Sequence, residues 1–357
     1  AILDALAGSS RRKVGCLMAA SAASVTASAR SVTASAPGKV NVFLGVGRLR
    51  ADGYHDVCSV YLALDLRDRV TVRAADAWSI DVTGSLSQHH LDRVPRDELN
   101  IVVAAAKLVA RLAGITKPQP LHFAIEKHIP VAGGMGGGSA DAAAALVAVN
   151  ELWGTGLTRD ELQKAAVELG ADVPFALLGG CAIGEGVGEQ LVSLEVSRKH
   201  VFVMLPNDKP ISTPGAYRRY DELVAQQGVD PKTIRTPVPN DEMLAELNSG
   251  DDSPLDALIW NDLEEPAVDQ LPELGDDLEL PGAFETEIPT AYASFVSGSG
   301  PTIAFACVDQ RGAEKLVEQL AEAGRHAVIA HGPSAGARIE SSTAGTSAAN
   351  PSTHGAH

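Results

Sequence analysis

Pro130-Val-Ala-Gly-Gly-Met-Gly-Gly-Gly-Ser139 runs straight into Ala140-Asp-Ala-Ala-Ala-Ala-Leu-Val147, and this junction decides the fold. Five of the six residues from Gly133 to Gly138 are glycine, so the backbone can turn tightly and bring bare N–H groups close to a ligand. An alanine-rich helix starting at about Ala140 adds its unpaired first-turn amides and the positive end of its dipole. The result is a phosphate cradle that needs no basic side chain. No GK[ST] follows the glycines, so this is not a Walker A loop. The i, i+2, i+5 spacing of a dinucleotide fingerprint fails, because Gly134 and Gly136 are followed by Ser139.

Outward from the loop, alternating apolar stretches predict strands at Val40–Gly47, Cys58–Leu64, Val70–Arg73, Ile80–Val82, Leu121–Glu126 and near Cys181–Glu185. Asn100–Leu112 has helical spacing, and Thr158 with Glu161 forms a capping box opening a helix that runs to Leu169. A second half begins at His200–Leu205. Its middle, from about Gln226 to Asp256, is polar and proline-punctuated. Phe295–Ser299 then leads to a second glycine turn, the strand Thr302–Val308, the helix Ala313–Ala323 and the strand Ala327–Ala330. Strands with segregated helices predict an α+β protein rather than a doubly wound sheet.

The expected organisation is a disordered leader at 1–30, an N-terminal domain at 31–198, a C-terminal domain at 199–332 and a disordered tail at 333–357. The leader is rich in Ala and Ser, with Arg11, Arg12, Lys13 and Arg30 against the lone acid Asp4. That composition is shared by organelle transit peptides, by disordered leaders and by sequence upstream of a start at Met18. The tail is rich in Gly, Ser, Ala and Thr.

The 357 residues carry 29 basic and 45 acidic side chains, a net charge of −16. This argues against a nucleic-acid or anionic-membrane partner, and any anionic ligand must be held by local devices. Four dispersed cysteines without CxxC suit a reducing, cytoplasmic setting. Ten scattered histidines without HxxxH offer no histidine-built metal site. No apolar run reaches the roughly 18 residues of a membrane span.

Two further residues gain meaning beside the loop. Lys39, in Ala36-Pro-Gly-Lys-Val-Asn41, sits at the start of a strand. Asp172, in Gly170-Ala-Asp-Val-Pro-Phe175, precedes a short helix with Pro174 in its first turn. Taken singly they read as a surface lysine and a helix N-cap. Taken together with a phosphate loop they supply what phosphoryl transfer requires: charge neutralisation and an acceptor for the proton of an attacking hydroxyl.

Pro37-Gly-Lys-Val-Asn41, the PxxGGMGGGS loop and Phe295-Val-Ser-Gly-Ser-Gly300 resemble the three motifs of the galactokinase, homoserine kinase, mevalonate kinase and phosphomevalonate kinase (GHMP) superfamily. Within it, Arg50-Ala-Asp-Gly-Tyr-His55, Leu169-Gly-Ala-Asp-Val-Pro-Phe175 and Gly184-Glu-Gly-Val-Gly-Glu189 resemble the branch that phosphorylates a cytidine diphosphate ester of methylerythritol in the non-mevalonate isoprenoid route. The match spans Val32 to Pro333. It implies a GHMP kinase fold of two domains, like the ribosomal S5 domain and then ferredoxin-like, with ATP and Mg2+ as cofactors and that small molecule as substrate.

The resemblance puts ATP on Pro130, Val131, Ala132, Gly133, Gly134, Met135, Gly136, Gly137, Gly138, Ser139 and Ala140. It makes Asp172 the catalytic base on the 2-hydroxyl and Lys39 its charge partner. Asn41 becomes a contact to the methylerythritol, Tyr54 and His55 the cytosine-recognising pair, and Tyr217 an aromatic on the same ring. Leu99 stands where the family has an acidic residue before Asn-Leu. Alternatives are a catalytically silent nucleotide sensor on the same scaffold and another small-alcohol kinase of the superfamily. A dinucleotide oxidoreductase lacks the required spacing.

Overall fold

The computed structural model describes residues 30–248, 258–284 and 287–343. Two sheets organise them. The first has eight strands: β1 (Ser31–Leu49), β2 (His55–Ala74), β3 (Ser79–Gly84), β4 (Leu121–Lys127), β5 (Cys181–Glu185), β6 (Gln190–Leu194), β8 (Trp260–Asn261) and β12 (Arg338–Thr343). The second runs β11 (Val328–Gly332), β7 (His200–Leu205), β10 (Ile303–Cys307), β9 (Ala291–Val296). Its neighbours are all antiparallel and its elements follow the chain order βαββαβ, the ferredoxin-like arrangement that the resemblance implies.

β1 and β2 are longer than the sequence suggests. Pro37-Gly38 reads as a break, yet β1 passes through it with a register shift between Pro37 and Lys39. The stretches Cys58–Leu64 and Val70–Arg73 are two parts of β2. Its first half pairs with β5 and its second half with β4. The helix Gly137–Trp153 packs on this pair, and Ala140, Ala142, Ala143, Ala144 and Ala145 are all fully buried. Small side chains on every face let it lie close under the sheet, as a helix apolar all round must be covered.

The second sheet serves two cores because its side chains alternate. Val203, Leu205, Ile303 and Phe305 pack with the helices Glu273–Ala283 and Gln310–Glu322. Phe202, Met204, Phe295 and Ala304 point the other way, into the core of the first sheet. The two halves thus share packed surface.

One expectation about the termini changes. The tail expected from residue 333 is ordered as far as Thr343: β12 pairs antiparallel with the start of β1, closing that edge. Its six residues are all exposed, so composition carries no apolar alternation to mark it as a strand. Residues 344–357 lie outside the described residues, as do 1–29 of the expected leader. Arg30 is bonded to the end of the long helix, donating to the Glu151 carboxylate at 3.0 Å. β8 and β12 also return to the first sheet. The helix Thr213–Gln226, capped by Ser212, is a further element the sequence pattern did not announce.

Candidate active site

The loop's geometry follows from its glycines. Gly136 takes φ 72° and precedes the helix, which begins at Gly137, three residues earlier than expected. The first intrahelical bond runs from Ala140 N to Gly136 O at 2.8 Å, so the amides of Gly137, Gly138 and Ser139 precede the ladder. Gly134, at φ 75°, touches the second glycine turn so closely that a Cβ there would lie 2.1 Å from Ser297 O. Thr302 N also donates to Gly133 O, at 3.3 Å. Asn261 on β8 secures that second turn, donating to Val296 O at 2.7 Å and Gly298 O at 2.8 Å. Met135 points into the core, and its carbonyl accepts from Lys39 N at 3.0 Å.

That bond brings Lys39 under the loop. Its Nζ lies 4.0 Å from Asp172 Oδ2, and it also donates to Asn41 Oδ1. Asn41 Nδ2 donates in turn to Ser59 Oγ at 2.7 Å, and Ser59 to Phe43 O at 2.9 Å. Lys39 is 6% exposed, so the surface-lysine reading is wrong. Burial pulls its ammonium below the ordinary lysine range, and the Asp172 charge only partly restores it. Asp172 precedes the helix Val173–Leu178, yet its carboxylate makes no capping bond there. It faces the cleft instead. The N-cap reading therefore describes its position but not its chemistry.

The cleft is a cavity of about 720 Å³, and its lining includes Lys39, Asn41, Gly134, Gly136, Ser139 and Asp172. The lining also includes Tyr54, His55, Thr213, Tyr217, Arg218 and Asp221. The His55 ring stacks on Tyr217, with centroids 5.0 Å apart and planes inclined by 20°. His55 Nε2 sits 2.9 Å from Asp221 Oδ1, which fixes the imidazole edge. Tyr220 closes the stack edge-on and donates to Val46 O at 2.9 Å. Burial, and then the Asp172 charge, hold the Tyr217 phenol protonated. Tyr54 is 64% exposed and stands at the rim.

One continuous cleft thus collects Lys39, Asn41, Tyr54, His55, Asp172, Tyr217 and part of the glycine loop. Pro130, Gly133, Met135, Gly137 and Ala140 serve the loop's underside, being buried. Val131 is half-buried and Ala132 and Gly138 are exposed. The sequence pattern missed Ser59, Tyr61, Asp221 and Asn261, because each acquires its role through a partner far away in the chain. It also missed the floor of the loop. There Lys127, 1% exposed, bonds to Asp68, to Asp141 at 2.8 Å and to Gly137 O at 3.2 Å.

A loop of open amides over a lysine and an uncapped carboxylate suits transfer of a phosphoryl group to an alcohol. Among the described residues no group of three or more His, Cys, Asp or Glu is placed to hold a metal ion. A magnesium ion here would therefore draw its oxygens mainly from phosphate and water, its usual habit. Asp172 and Ser139 both line the cleft beside the loop glycines.

The chain is similar to known proteins over most of its length. The GHMP kinases N terminal domain matches residues 100–180. The 4-diphosphocytidyl-2-C-methyl-D-erythritol kinase of Paenarthrobacter aurescens is 45% identical over 312 residues, covering 86% of this chain and 95% of that protein. The protein of the same name from Nocardioides sp. is 44% identical, covering 86% and 99%. Among solved structures, a 4-(cytidine 5'-diphospho)-2C-methyl-D-erythritol kinase superposes with a TM-score of 0.65 at 29% identity, over 85% of this chain and 99% of that one. The homoserine kinase from Cytophaga hutchinsonii shares the fold, with a TM-score of 0.61 at 20% identity, over 87% and 97%.

Proposed function

Since this chain belongs to the 4-diphosphocytidyl-2-C-methyl-D-erythritol kinases of the GHMP superfamily, we propose that Asp172 and Lys39 carry its chemistry in the cleft described above. The enzyme is a phosphotransferase. It uses ATP as phosphate donor and phosphorylates the 2-hydroxyl of 4-diphosphocytidyl-2-C-methyl-D-erythritol, giving the 2-phosphate and ADP in the non-mevalonate isoprenoid precursor pathway.

In this reading Asp172 accepts the proton of the 2-hydroxyl as its oxygen attacks the γ-phosphorus and the bond to ADP breaks. Lys39 stands beside Asp172 and offsets the negative charge gathering there, in a site dry enough to strengthen the attraction. Asn41, bonded to both Lys39 and Ser59, keeps the ammonium aimed and offers its remaining N–H to the methylerythritol. The loop amides and Ser139 receive the triphosphate. Tyr54, His55 and Tyr217 take the cytosine, with Asp221 setting the imidazole. Magnesium, when bound, neutralises phosphate charge. A cytoplasmic location belongs to the same proposal, supported by three buried free cysteines and by the lack, among the described residues, of a helix long and apolar enough to cross a membrane.

The observation carrying these assignments is that the 4.0 Å Lys39–Asp172 couple shares one cleft with the loop glycines and with the His55–Tyr217 stack. The silent-sensor alternative is not favoured, since neither member of the couple is diverted into capping or a closed ion pair. ADP release with the cytidine substrate, using homoserine and mevalonate as controls, tests the reading in wild type and Asp172→Asn. Turnover of the cytidine substrate alone, lost in the variant, is expected. A fully active Asp172→Asn enzyme overturns the assignment.

A further inference from the structure

The Gly184-Glu-Gly-Val-Gly-Glu189 motif has no part in the cleft chemistry so far, and the structure shows what its glycines accommodate. A Cβ at Gly188 would lie 2.4 Å from the Tyr61 hydroxyl, and one at Gly184 would lie 2.5 Å from Tyr61 Cε2. The two glycines leave space for this one phenol. β2 sets Tyr61 directly across from Asn41 on β1 and from Ala182 on β5. Its ring stacks on Phe175, three residues beyond Asp172, with centroids 4.9 Å apart and planes at 27°. The ammonium of Lys39 lies 5.9 Å from the ring centroid, within the range of a cation–π attraction. Tyr61 is 4% exposed yet lines the cleft.

Burial, and then the charge of the nearby Asp172 carboxylate, keep the phenol protonated. It can therefore donate but cannot itself serve as a base. A neutral donor beside a carboxylate occupies one lone pair and leaves the other oxygen to the incoming alcohol. Ser59, the other hydroxyl of this corner, already joins Asn41 to Phe43 O.

We propose that Tyr61 is a positioning residue of the kinase: its hydroxyl orients the Asp172 carboxylate while its ring face steadies Lys39, in a socket made by Gly184 and Gly188. The inference rests on the reading of Asp172 as base. Tyr61→Phe keeps the ring, the Phe175 stack and the Lys39 contact, and removes only the hydroxyl. It should lower kcat about tenfold, with KM for ATP and for the cytidine substrate within about twofold and the melting temperature unchanged.

Because Tyr61 acts through Asp172, the double variant Asp172→Asn/Tyr61→Phe should be no slower than Asp172→Asn alone. Two outcomes overturn the proposal: Tyr61→Phe within about twofold of wild-type kcat, or a double variant slowed by the full factor that Tyr61→Phe costs singly. If Asp172→Asn itself turns over normally, it is the base assignment that fails, and the same set of four enzymes separates the two failures.

Discussion

Lys39 and Lys127 are both buried lysines, one on each side of the same glycine loop, and their surroundings differ in a way that separates chemistry from architecture. Lys127 lies between two carboxylates, with Asp141 at 2.8 Å and Asp68 in contact, and it bonds to Gly137 O inside the loop's first turn. Asp68 is satisfied further by the amides of His128 at 2.6 Å and Ile129 at 2.9 Å. Burial alone would depress the Lys127 ammonium, but the charges of Asp141 and Asp68 outweigh it and hold it above the ordinary lysine range. Lys39 has a single carboxylate 4.0 Å away that is itself open to the cleft, and its net shift is downward. A lysine enclosed by closed ion pairs is a clamp. A lysine left short of charge compensation is available for an anionic ligand.

The sharpest way to break this contrast is at the cleft. Lys39→Met and Asp172→Asn should each lower kcat about a thousandfold or more, because each removes a group that acts on developing charge. The fold should persist in both. Lys39→Met should even melt no lower than wild type, since it removes a desolvated ammonium whose only carboxylate neighbour remains partly solvated. ADP-release rates and melting curves on the same preparations check both halves of the statement. A Lys39→Met enzyme that unfolds early would make Lys39 a clamp after all.

Lys127→Met reverses the pattern. It leaves Asp68 and Asp141 buried without their cation, which costs about 3–5 kcal/mol in comparable cases. Urea unfolding should show that loss directly. Activity should fall with the folded fraction rather than by a fixed chemical factor. An unchanged urea midpoint would place the stability of the loop's floor elsewhere.

A smaller effect belongs to the aromatic pair of the cleft. Tyr217→Ala removes the face on which His55 stacks. Base stacking on an aromatic is worth about 1–3 kcal/mol, so KM for the cytidine substrate should rise about 5- to 150-fold while KM for ATP stays level. Equal changes in both constants would mean that Tyr217 shapes the whole cleft rather than making the cytosine contact proposed for it.

The same contrast explains which parts of the molecule could be read in the chain. The glycine loop, Lys39 and Asp172 lie in short contiguous motifs, each carrying its own backbone chemistry. The clamp does not. Asp68 falls in β2, Lys127 ends β4 and Asp141 lies in the first turns of a helix, so no local pattern joins them. Tyr61 is hidden for the same reason, because Gly184 and Gly188 are far away in sequence and only β2–β5 pairing makes them its socket. β12 escaped because an exposed edge strand needs no apolar alternation. The helix Thr213–Gln226 went unannounced although its sequence permits it: Ser212 caps it and Pro214 sits in the first turn, where proline is favourable.

The finest test concerns the third member of the clamp. One lysine faces two carboxylates, and Asp141 Oδ1 is buried without a hydrogen-bond partner. Burial raises the Asp141 carboxyl, Lys127 opposes this, and the Asp68 charge raises it again, so its folded-state value lies above that of the unfolded chain. A group shifted in that direction binds its proton more tightly when folded. Its contribution to stability is therefore complete below the unfolded value, near 3.9, and fades as pH rises through the folded one. Asp141→Asn cannot ionise and still offers Lys127 an amide oxygen. The variant should match wild type within about 1 kcal/mol at about pH 5 and equal or exceed it by about 1 kcal/mol at about pH 8. Urea midpoints at the two pH values measure the difference. A variant that loses ground as pH rises would show that Asp141 works as an anion, and that the clamp needs both of its negative charges.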